Sequence, residues 1–206
     1  MSFENNQTTT TLAPPHWKRI GEDGPEAVVL AAADLSIVDT AGEGNKLIRG
    51  QQARSEFSAV PAYITLLNKK QGIDPYYTAV ADSVEEGQYY LSLSGSGSGP
   101  LVITIDGVVS GDAHFNLVIH AAAGSDHEVH LSYQSGSSIN GVIRIIVERD
   151  AALKVVRLQK GVFGATFLES QAAIIDDRGS YAYQAFDLGG ALTVTDVSTY
   201  LQGENS

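Results

Sequence analysis

From Gln88 onward the chain alternates short apolar runs with small or polar turns. The runs include Tyr89–Leu91, Leu101–Ile105, Phe115–Ile119, Val129–Tyr133, Val142–Val147, Leu153–Leu158, Ala172–Ile175, Tyr181–Phe186 and Leu192–Leu201. Val129-x-Leu131-x-Tyr133 and Tyr181-x-Tyr183 repeat at every second residue. That is the period of a strand with one face turned to a core. Apolar pairs preceding a turn fall at Tyr90-Leu91, Val118-Ile119, Ile146-Val147, Ile174-Ile175 and Tyr200-Leu201, at intervals of 28, 28, 28 and 26 residues. Matching turns follow at Ala122–Gly124, Asp150–Ala152 and Arg178–Ser180. Self-similarity at a fixed period in this range marks a solenoid. Each period holds two strands and two turns, as Gln134–Gly141 illustrates. The pattern therefore predicts an all-β fold: a two-sheet right-handed β-helix of about 28 residues per coil over residues 88–206. Val118, Ile146 and Ile174 are expected to stack in successive coils.

Residues 1–13 are polar and predict a disordered tail, and residues 14–87 a short mixed N-terminal segment. Trp17 is expected to cover a core edge. Pro25–Ala33 fits a helix or a buried strand, and Asp39–Phe57 is undecided. Ala62–Lys70 closes at Gly72 as a short helix does. Ser94–Gly99 has linker composition but falls where the repeat needs a wide turn between Leu93 and Leu101. Asp187-Leu188-Gly189-Gly190 reads as a corner with close coil stacking.

Composition narrows the function. A hydrophobic fraction of 43% and a charged fraction of 18% fit a folded domain, and 21 glycines fit many turns. The formal charge of −11 works against nucleic acid and anionic membrane surfaces. No cysteine is present, which removes disulfides, thiolate metal sites and cysteine nucleophiles from this chain. The N-terminus lacks a signal-peptide pattern and no apolar run is long enough to span a bilayer, so the expected location is the cytoplasm.

The candidate metal ligands are Glu128 and His130, within Asp126-His127-Glu128-Val129-His130. On a strand His127 points to the face opposite His130, and two ligands fall short of a zinc site. Adjacent carboxylates at Glu85-Glu86 and Asp176-Asp177 suit turns better than a glycosidase pair. No Gly-x-Ser-x-Gly elbow occurs, and Gly42-x-Gly44 lacks the remainder of a phosphate loop. No catalytic residue and no cofactor is expected.

Several segments taken together resemble the SufB/SufD family of iron–sulfur cluster assembly. They are Val147–Ala151, Arg157-Leu158-Gln159, Phe186–Gly190 and Leu201–Ser206, with Asp74–Ala79, Gly87 and Tyr89-Tyr90 upstream. The resemblance covers about residues 73–206 and is similar to the family's β-helix core. It implies a non-catalytic scaffold component that joins a SufB-like partner and a SufC-like ATPase. Lack of cysteine is closer to the SufD-like member. The family's late cysteine and histidine positions have no counterpart here, nor does its helical ATPase-docking domain, so no cluster ligand is carried over. The rival readings are a β-helical carbohydrate-active enzyme or binding module and a structural homo-oligomer. Only Gln202–Ser206 follow the last predicted strand, so the final coil is expected to pair with another copy or with the SufB-like partner.

Overall fold

The structure is a computed structural model that describes residues 31–39, 45–69, 75–107, 112–134, 138–162 and 164–203. The expected tail, Trp17 and the Gly42–Gly44 segment lie outside the described residues, as does Pro25–Leu30.

Strands β4 (Gln88–Leu93), β6 (Ala113–Ala121), β8 (Ile139–Val147), β10 (Thr166–Ile175) and β12 (Leu192–Leu201) pair in parallel in one sheet. Strands β5 (Leu101–Asp106), β7 (Asp126–Tyr133), β9 (Ala152–Gly161) and β11 (Ser180–Gly189) form the facing parallel sheet. The chain passes from one sheet to the other at each turn, which is the predicted solenoid. Leu117, Ile119, Leu131, Ile143, Ile145 and Val155 meet between the sheets in one continuous apolar core.

The coil length is less even than the sequence implies. Along the first sheet, register places Gln88 beside Asn116, Ala113 beside Ile139, Ile139 beside Phe167 and Thr166 beside Leu192, giving steps of 28, 26, 28 and 26 residues. Ile146 does stack on Ile174, but Val118 stacks on Arg144. A slip of two keeps every side chain on its face, so the apolar pattern tolerates it. After the wider first turn, Leu93 to Leu101, the turn from the first sheet to the second keeps one length: Ala121 to Asp126, Val147 to Ala152 and Ile175 to Ser180. The two-residue difference lies in the return turns.

The constant turns owe their shape to one left-handed residue per coil: Gly124, Asp150 and Arg178, at φ 70°, 58° and 54°. The non-glycine pair is held by a two-pronged contact, Arg178 Nε to Asp150 Oδ1 at 2.6 Å and Nη2 to Oδ2 at 2.8 Å. Asp176 and Asp177 belong to this turn, where Asp177 also pairs with Arg178. At the opposite corner Gly189 and Gly190 have φ of 96° and 98°. A Cβ on Gly161 would meet the Gly190 nitrogen at 2.7 Å, so the expected close stacking is present. Ser94–Pro100 forms a turn stacked on the next coil, with the Gly97 N–H donating to the Asp126 carbonyl.

The N-terminal segment is more closely joined to the solenoid than a separate unit. Strands β1 (Ala31–Ala32), β2 (Asp34–Asp39) and β3 (Lys46–Arg49) enter the sheets. β2 runs antiparallel to β5 and β3 antiparallel to β4, at the outer edges of the two sheets. Within the undecided Asp39–Phe57 stretch, β3 is followed by helix α1 (Gly50–Ser58). Helix α2 (Pro61–Leu67), close to its predicted position, and α3 (Pro75–Ser83) begin with proline, whose fixed φ suits a first helical turn. The helices cover the outer face of the first sheet, where Phe57, Tyr63 and Leu66 pack on Tyr90, Ile146 and Ile174. This explains why β8 is buried at every position while β7 and β9 alternate.

Polar ties fix α3 there. Gln88 Nε2 donates to the Ala81 and Val84 carbonyls at 3.0 and 2.8 Å, satisfying the end of the helix. The buried Arg144 guanidinium holds both oxygens of Asp82 at 2.7 and 2.8 Å and also donates to Asn116 Oδ1 at 2.7 Å.

Candidate functional site: the polar end of the solenoid

Glu128 and His130 do lie together on the outer face of β7, with His130 Nε2 2.6 Å from Glu128 Oε1. The nearest further group is Lys154 Nζ, 3.2 Å from the same oxygen. The contacts with His130 and Lys154 hold the half-buried Glu128 carboxyl below its ordinary range. Lys154 competes with any metal there. His127 turns inward as expected, and its Nε2 lies 3.2 Å from the Ser94 carbonyl. No group of three or more His, Asp or Glu suited to a metal ion occurs among the described residues.

A second cluster joins three coils. Tyr90 Oη lies 2.7 Å from His120 Nδ1, and His120 Nε2 lies 2.9 Å from Glu148 Oε1. The Ala123 N–H donates to Glu148 Oε2 at 3.0 Å. Tyr90 is buried, and the space beside this relay, lined by Pro61, Ala123, Glu148 and Gln202, reaches only its carboxylate end. The arrangement ties coils together and offers no hydroxyl to a substrate.

The most unusual chemistry is inside the last coils. The inward row of β9 reads Leu153, Val155, Arg157, Gln159, and that of β10 reads Phe167, Glu169, Gln171, Ala173, Ile175. Arg157 and Glu169 are 1% and 2% exposed. Arg157 Nε lies 3.0 Å from Glu169 Oε2, and Nη1 lies 2.7 Å from Asp187 Oδ1 on β11. Nη2 donates to Gln159 Oε1 at 2.7 Å. The Tyr133 hydroxyl donates to Glu169 Oε2, and the Tyr183 hydroxyl to Oε1 at 3.3 Å. Gln171 Nε2 donates to the Tyr181 hydroxyl. Burial pushes the Glu169 carboxyl up, while Arg157 and the two hydroxyls pull it down. Burial disfavours the Arg157 cation, but Glu169 and the surrounding groups outweigh it and raise the guanidinium's pKa. Burial and Glu169 together keep Tyr133 protonated.

β11 and β12 are the outermost strands of their sheets. Phe186, Leu188, Val197 and Leu201 are 53%, 57%, 44% and 61% exposed. Nothing in the apolar pattern flags the polar layer, because Glu169-Ser170-Gln171 reads as a gap between strands. Parity is the available signal: Arg157 and Gln159 continue the inward positions of Leu153 and Val155.

Residues 106–206 match the family model for the SUF system FeS cluster assembly SufBD core domain. The match supports membership of the SufB/SufD family. The SufBD core region contains the whole polar layer and both edge strands, whereas the Asp74–Tyr90 part of the resemblance precedes it. A SufBD core points to involvement in iron–sulfur cluster assembly. No curated protein and no solved structure matches the chain. No helix among the described residues is long and apolar enough to cross a membrane.

Proposed function

We propose that this chain is a SufD-like, non-catalytic scaffold component of cytoplasmic iron–sulfur cluster assembly, acting with a SufB-like partner and a SufC-like ATPase. The observation that carries the reading is the two-sheet β-solenoid from β4 to β12, most of which lies in the region that matches the SufBD core domain. Absence of cysteine supports a scaffold that does not itself ligate a cluster through thiolates. The adjacent carboxylates give no support to a glycosidase: Asp176-Asp177 serves a turn and Glu85-Glu86 lies in a short 3₁₀ helix. Co-expression with the SufB-like protein and the ATPase of its source is expected to yield a co-purifying complex. Reconstitution of the isolated chain with iron and sulfide is expected to leave no stable cluster absorbance. A monomer that ignores both proteins, or a stoichiometric cluster on the chain alone, overturns the proposal.

A further inference from the structure

The helices on the first sheet are held in two different ways. α1 and α2 bury Phe57, Tyr63 and Leu66 against Tyr90, Ile146 and Ile174. α3 is held mainly by polar groups. Asn140 Nδ2 donates to the Tyr77 carbonyl at 2.9 Å, Gln88 Nε2 to the Ala81 and Val84 carbonyls, and Arg144 to both oxygens of Asp82. Its apolar contact is a small cluster in which Tyr77 meets Leu168. Water can replace hydrogen bonds but not apolar burial, so an element tied down by polar groups opens at lower cost than its neighbours. The Asn140 amide also reaches the buried His114, its Nδ2 lying 3.2 Å from His114 Nδ1. Turning the amide over would set its oxygen against the Tyr77 carbonyl, so Nδ2 stays the donor and Nδ1 the acceptor. The imidazole proton is then on Nε2, which has no hydrogen-bond partner among the described residues.

We propose that α3 is a detachable strap whose docking and a second proton on His114 exclude each other, so that acid lifts α3 while α1, α2 and the solenoid stay folded. A proton on Nδ1 would point at the Asn140 N–H. Relief requires the amide to turn over, which breaks the Tyr77 tie, or α3 to leave and admit water. The charged groups on the elements packed around His114 are Asp82 on α3, Arg144 on β8, Glu85 and Glu86 in the 3₁₀ helix, and Asp112 just before β6. Asp82 and Arg144 neutralise each other. Burial prevails at the imidazole and pushes its pKa down to about 4 from 6.5. Lifting α3 restores the ordinary value, so the lifted form gains on the docked one as pH drops below 6.5.

The test is native-state hydrogen exchange of the full chain at pH 7.5 and 5, corrected for the intrinsic pH dependence of amide exchange. At pH 7.5 the amides of α3 should be less protected than those of β8. At pH 5 their protection should be lower by about thirtyfold, while that of α1 changes by less than about threefold. His114→Gln, which keeps an acceptor for Asn140, should abolish the fall. Asp82→Asn should lower α3 protection about tenfold at both pH values and leave the fall in place. Exchange of α3 only in step with β8 means that it opens with the whole fold, and a fall shared by α1 means that acid loosens the helices together; either result overturns the strap. The wild-type and Asp82→Asn measurements decide this even if His114→Gln does not fold. A fall that survives in His114→Gln overturns the proton coupling.

Discussion

Arg157 and Glu169 illustrate a buried pair whose partners depend on each other. Replacing Arg157 with methionine leaves the Glu169 carboxylate in a layer where it is 2% exposed. The expected cost is about 3–5 kcal/mol, read as a lower denaturant midpoint, and adding Glu169→Leu should recover much of it. His114 supplies a pH signature. Burial pushes its pKa down to about 4 from 6.5, so the unfolded chain binds the proton more readily. Stability is therefore full above pH 6.5 and falls as pH drops from 6.5 towards 4, by about 3 kcal/mol for a shift of this size. Unfolding curves of His114→Gln should lose that slope; an unchanged slope would assign it elsewhere.

At the scale of elements, the strands were legible because alternation and turn chemistry agree from β4 to β12. The constant turns were legible too, since Gly124, Asp150 and Arg178 each occupy the same left-handed position. Register was not, because Ile146-Val147 resembles Val118-Ile119 as well as the true partners do. Helix α3 was missed, since its attachment depends on Gln88, Asn116 and Arg144 projecting from three coils, a constellation that only folding assembles. The polar layer was hidden for the same reason: an inward glutamate looks like a loop until the opposing arginine is in place. The glycine corner gives a direct check on coil stacking. Gly161→Ala would place its Cβ against the backbone of Gly189 and Gly190 at 2.7–2.9 Å. Relief requires the strands to part, so a loss of about 1–3 kcal/mol is expected in thermal or denaturant unfolding.

Over the whole molecule, stability should grade from one end to the other. The middle coils have an apolar interior, and the first sheet is covered there by helices on its outer face. β11 and β12 have one strand neighbour each among the described residues, β11 largely exposed and β12 mostly half-buried. In a stack where each coil contacts only its neighbours, the outer coil opens first. Hydrogen exchange should release the amides of residues 180–201 well before those of β6 and β8, and equal protection throughout would contradict this grading. The antiparallel strands β2 and β3 carry one more consequence. They cover the edges of β4 and β5 in the first coil. The amides of β4 and β5 should therefore exchange more slowly than those of β11 and β12, whose far edges have no strand neighbour among the described residues.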